Sequence, residues 1–104
     1  MLEFNENTEN AKILAVHYAS ILKDEQLVKF FGGEIELKNQ DEANHVIRGF
    51  WKVTDLAIED NNNDVSVQGI YDIEFWMHKL FNKVYGYMTK NGYGDLWEES
   101  MAER

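Results

Sequence analysis

The chain has 104 residues, with 19 Asp+Glu against 10 Lys+Arg, a formal charge of −9, and neither cysteine nor proline. Such a field repels phosphate backbones and anionic bilayers, which argues against direct contact with nucleic acid or a membrane, and the missing cysteines exclude disulfides and thiolate metal sites. The length suits one domain, residues 1–104, able to bury roughly 65% of its unfolded surface without covalent staples.

The first residues, MLEFNENTEN, carry no basic leader, and Lys12, His17 and Ser20 interrupt the longest apolar helical stretch. A soluble, cytoplasmic protein is therefore expected. Thr8 can cap a first helix that runs to about Lys23, with Ala11, Leu14, Ala15, Tyr18, Ile21 and Leu22 on one face. Asp24 can cap a short second helix from Glu25 to Phe31, which Gly32-Gly33 would end. Glu34 to Lys38 alternates charged and apolar residues, the period of a short strand. This opening order of helix, short helix and strand resembles the start of the cone-shaped α+β fold of ketosteroid isomerases and nuclear transport factors. The resemblance covers about a third of the chain, rests on no motif, and implies a curved sheet wrapped around the first helix.

The segment from Val46 to Trp76 has two readings. As a helix, Val46 to Ile58 presents an apolar arc of Val46, Phe50, Val53 and Ala57. Yet most of its residues favour strands, and Val65, Val67, Tyr71, Ile73 and Phe75 alternate with polar residues further on. Closing the two stretches around Asp60-Asn61-Asn62-Asn63-Asp64 pairs Ile58 with Val65, Leu56 with Val67 and Phe50 with Ile73 on one face. It also pairs Val53 with Ile70 and Ile47 with Trp76 on the other. One register satisfies both faces, at the expense of setting Glu59 against Asp64. From about Met77 the pattern is helical again, with Met77, Leu80, Phe81, Val84 and Met88 on one side. Asn91-Gly92 would stop that helix before a last one over Gly94–Arg104. The expected fold is α+β: two N-terminal helices, a short strand, an antiparallel hairpin and two C-terminal helices. An all-α bundle of four to five helices is the alternative.

No constellation of catalytic residues emerges. Asp60-x-Asn62-x-Asp64 begins like a calcium loop, but Val65 stands where glycine is needed and Tyr71 where a bidentate glutamate is needed. Glu42-Ala-Asn-His45 has the spacing of one half of a di-iron site, with no second copy in the chain. Neither a metal nor a cofactor is expected, and the three histidines, His17, His45 and His78, belong to no nucleophile motif.

The most distinctive feature is electrostatic. Between Val53 and His78 there are six carboxylates and no Lys or Arg, and eight of the 14 aromatic residues lie between Tyr71 and Trp97. Asp55, Glu59, Asp60, Asp64, Asp72 and Glu74 would steer a basic protein, with Tyr71, Phe75 and Trp76 as its anchors. The expected function is thus a non-enzymatic binding module that docks on and inhibits a basic, nucleic-acid-handling partner, as phosphate mimics and immunity proteins do. One alternative is a small-ligand protein or enzyme with a pocket between a curved sheet and the first helix, lined by His17, Tyr18 and Trp51. Another is a structural subunit whose spare aromatics form a homodimer seam.

Overall fold

The segment with two readings holds no hairpin: it comprises most of one long helix, a connection over residues 63–72 and the start of another helix. The computed structural model describes residues Met1–Arg104 and contains five helices: α1 Glu9–Ile21, α2 Glu25–Phe31, α3 Gln40–Asn62, α4 Ile73–Lys90 and α5 Gly94–Ala102. There is no strand or sheet. This overturns the α+β expectation and the cone-shaped resemblance with it, and fits the all-α bundle.

The ends of α3 show why helix prevails. Asn39 accepts from the Glu42 backbone N–H at 2.9 Å, and the Glu42 carboxylate reaches back to the Lys38 N–H at 2.8 Å. Together they satisfy two donors just before the first apolar residue, a variant of the capping box. The β-prone side chains that follow are nearly all inside: Val46, Ile47, Phe50 and Val53 are buried with Ala43, Gly49 and Ala57. Tertiary burial outweighs a strand preference that spans only about 1 kcal/mol. The Asn-rich stretch is not a hairpin turn but the end of α3. Val65 N–H bonds to Asp60 O at 2.9 Å and Asp64 N–H to Asn61 O at 3.3 Å, with Asp64 in the left-handed conformation (φ 55°). That pair of bonds is the Schellman motif, which satisfies two of the last carbonyls and turns the chain away. Ile58 and Val65, core partners in the hairpin register, are 51% and 43% exposed. Among residues 63–72 the sole β-type pairing is an isolated bridge between Val67 and Ile70. Asp72 then caps α4 by accepting from Phe75 N–H at 3.2 Å.

The alternation at Glu34–Lys38 reports burial without a sheet. Ile35 and Leu37 face the core between exposed Glu34, Glu36 and Lys38. In place of a neighbouring strand, the Tyr87 hydroxyl accepts from Leu37 N–H at 2.9 Å and donates to Glu36 at 3.0 Å. Asp24 caps α2 as expected, with Leu27 N–H at 3.1 Å, and its second oxygen holds His45 Nε2 at 2.7 Å. Thr8 sits at the α1 N-cap, but its hydroxyl accepts from Asn5 N–H and caps no helical N–H.

α3 and α4 form the central pair. α1 packs on both, with α2 bridging α1 and α3, while α5 packs on α3 and α4 and touches neither α1 nor α2. The result is three tiers, α1–α2, α3–α4 and α5, around one cluster of 24 buried residues. No helix is long and apolar enough to cross a membrane.

Candidate functional site

The unequal lengths of the middle and outer tiers create the site. α3 has 23 residues and α5 only nine, about 34 Å against about 14 Å at 1.5 Å per residue. α5 therefore covers only part of the cleft between α3 and α4. The covered part is aromatic: the fully buried Trp97 of α5 lies 5.1 Å from Phe50, 5.2 Å from Phe81 and 5.4 Å from Trp51, the last stacked at 28°. The uncovered part is an open groove of about 410 Å³. Phe50, Ala57, Ile73 and Phe81 make its floor, Trp51, Ile58 and Met77 its apolar walls, and Thr54, Asn61, Asn62, Glu74 and His78 its polar rim.

The end of the groove beside α5 holds a cation. Trp51 is fixed by its stack on Trp97 and by an indole N–H bond to Ser100 Oγ at 2.9 Å. Ser100 in turn donates to the Trp97 carbonyl at 2.6 Å. Over the Trp51 ring, 4.5 Å from its centroid, sits the Arg104 guanidinium, whose Nη2 donates to Asp55 at 2.8 Å.

The nine residues expected to bind a partner are not gathered in one place. Glu74 alone lines the groove, and Asp55 borders it through Arg104. Five residues further along α3, about 140° round the helix from Asp55, Asp60 points to α1 and accepts from the Tyr18 hydroxyl at 2.9 Å. Burial first, then the bond to Asp60 and its negative charge, hold the Tyr18 phenol well above its ordinary range. Asp72 is occupied as a helix cap, while Glu59 and Asp64 are exposed and have no cation beside them. Tyr71 is 86% exposed, ahead of α4. Phe75 is half-exposed, under its own Lys79 and edge-on to Trp76, which packs against the core. The pocket expected between sheet and first helix has no sheet to form it. Its three residues part company: Tyr18 is in the core, His17 edges a shallow hollow on α1, and Trp51 lines the α3–α4 groove.

Sequence reasoning missed Thr54, Ile58, Met77 and His78 as groove residues. Their signal was present: Thr54 and Ile58 are one helical turn apart, as are Glu74 and His78, but only the helix reading of α3 puts the two rows opposite each other. No group of three or more His, Asp or Glu side chains is arranged to hold a metal ion. Comparison with protein-family models, curated proteins and solved structures gives no match.

Proposed function

We propose that this protein is a binding module whose α3–α4 groove accepts a basic amphipathic helix of a partner protein. The groove itself carries the reading: an apolar trough, open to solvent, bordered by carboxylates and by no free cation. From Trp51 to Asn62 it runs for 12 residues of α3, about 18 Å. That matches three turns of a helix with anchors at i, i+4 and i+7. The polarity of the partner follows from charge. Glu74 stands on the rim and Asp55 beside it, the chain carries −9, and no Lys or Arg occurs between Val53 and His78. A second copy would bring the same carboxylates against themselves, so charge disfavours a symmetric dimer through this face. An inhibitory role toward a nucleic-acid-handling protein rests on the charge balance alone. The phosphate-mimic form of it is weakened because Asp55, Asp60 and Asp72 already have partners within the chain.

The test uses three immobilised baits in parallel: wild type, Ile58→Glu with Met77→Glu in the groove, and Glu59→Lys with Glu74→Lys beside it. The expected result is a basic protein, identified by mass spectrometry, that wild type retains and both variants lose. Its affinity should fall as the screening length shortens from about 30 Å at 0.01 M salt to about 10 Å at 0.1 M. Retention by all three baits, or binding indifferent to salt, overturns the proposal. A volume of about 410 Å³ also lies within the range of small-molecule pockets. Stabilisation by a small apolar compound, lost in the Ile58/Met77 variant, would replace the helix with a ligand.

A further inference from the structure

The geometry points to an arginine-recognition subsite at the α5 end of the groove, formed by the Trp51 ring and the Asp55 carboxylate, in which Arg104 stands in for an arginine of the partner. The inference deepens the groove reading and rests on a separate observation, the guanidinium already seated there. Three features make it a built site. The indole is held rigid before any ligand arrives, stacked on the buried Trp97 and bonded to Ser100 at 2.9 Å. The cation lies over the ring at 4.5 Å while its Nη2 meets Asp55 at 2.8 Å, so ring and carboxylate act on the same group. This division suits arginine: a planar cation can lay its face on an aromatic ring and present N–H donors in its own plane to a carboxylate, whereas a lysine ammonium is a compact, strongly hydrated point charge with no face to stack.

The occupant is also replaceable. Arg104 lies beyond the last turn of α5, its side chain is 38% exposed and that of Asp55 62% exposed. Both contacts are of the exposed kind, each worth little alone. Trp51 lines the groove as well as the subsite. A helix lying in the groove with an arginine near its α5 end would thus offer its guanidinium to the position Arg104 holds. Arg104 then acts as an internal competitor, weakening occupation by basic segments that lack enough apolar area to displace it.

The experiment compares wild type with Arg104→Ala, following the Trp51 indole N–H by NMR. The probes are N-acetyl-arginine amide, the citrulline and lysine analogues, and an amphipathic helical peptide made with either arginine or citrulline at one end. In Arg104→Ala, arginine amide should shift the Trp51 signal more strongly than citrulline or lysine amide. The arginine peptide should bind roughly three- to ten-fold tighter than its citrulline twin, as one cation–π contact and one charge pair allow. Wild type should discriminate less, and Asp55→Asn in the Arg104→Ala background should abolish the preference. Equal response to arginine and citrulline amides in Arg104→Ala overturns the subsite, even if both peptides still bind and the groove reading stands. A selective response to arginine amide with neither peptide binding keeps the subsite and counts against the groove. Equal discrimination by wild type and Arg104→Ala removes the competitor role.

Discussion

The two sides of α3 are finished differently. Toward α1 and α2 the surface is sealed and its polar atoms are matched: Tyr18 bonds to Asp60, Asp24 to His45, and Gly49 lets Leu27 approach so closely that an added Cβ would meet its side chain at 2.7 Å. Toward α4 and α5 the surface is built from large rings, leaves the indole N–H of the buried Trp97 without an acceptor, and opens into the groove. A side with every group engaged has nothing left to offer a ligand. A side held mainly by ring packing, with the Trp51–Ser100 bond and the Arg104–Asp55 pair at its α5 end, can be covered in one part and open in the next, and there the chain keeps its exposed Ile58, the rim residues Glu74 and His78 and a half-exposed cation.

The largest test of the contrast is the removal of its aromatic anchor. Trp97→Ala should lower stability by about 3–5 kcal/mol, because Phe50, Trp51 and Phe81 all pack on that ring and the cavity left behind cannot refill. Urea unfolding measures it. A loss below about 1 kcal/mol would mean that α5 is not what closes this part of the cleft. Next comes the sealed side. Gly49→Ala gains helix propensity yet forces Cβ against both methyls of a fully buried leucine, so a net loss of about 1–2 kcal/mol is expected. Gly86→Ala, on the exposed surface of α4 with open space around it, should instead gain about 0.5–1 kcal/mol. If the two alanines behaved alike, propensity and not packing would govern α3.

Tyr18 gives the sealed side a signature in pH. Its phenol keeps its proton in the folded state beyond the ordinary value of 10.0 at which the unfolded chain releases it. The folded pKa is raised, so the stabilisation is complete below about pH 10 and is lost as pH rises above it. Tyr18→Phe should cost about 1 kcal/mol at neutral pH through the lost bond to Asp60. It should also flatten the decline of stability between about pH 9 and about pH 11. Parallel pH profiles for wild type and variant would show that the Tyr18 phenol is neither buried nor bonded to Asp60 in solution.

How much of this was legible before the fold depended on scale. Local punctuation was: Asp24 caps, Gly32-Gly33 ends α2 and Asn91-Gly92 ends α4, because caps act within a few residues of themselves. The central hairpin was misread for a physical reason. Val, Ile, Phe and Trp favour strands when half-buried, but α3 is in contact with four other helices, and burial then decides against propensity. The signal that settles it, Asn39 followed by Glu42 at the capping spacing, lies outside the ambiguous stretch. The site was only partly legible. Acidity picks out carboxylates without their partners, so Asp60 and Asp72 were grouped with Glu74 although one serves Tyr18 and the other caps a helix. The groove depends on where α5 stops, which no local pattern records.

The smallest expected effect concerns helix ends, and it runs across both sides of α3. α1 and α3 end in the same pair of bonds as α2 and α4, yet their left-handed residues are Lys23 (φ 57°) and Asp64 (φ 55°), where α2 and α4 use Gly33 and Gly92. A side chain in that conformation costs about 1–2 kcal/mol, offset in part by the larger backbone entropy that glycine loses on folding. Lys23→Gly should therefore raise stability by about 0.5 kcal/mol. Asp64→Gly should give less, since aspartate tolerates the left-handed region better than lysine. Thermal melts of the two single variants and the double variant decide it. The sites lie at the ends of different helices, so additive gains are expected. A loss at Lys23 would mean that its side chain contributes more to the end of α1 than its backbone strain removes.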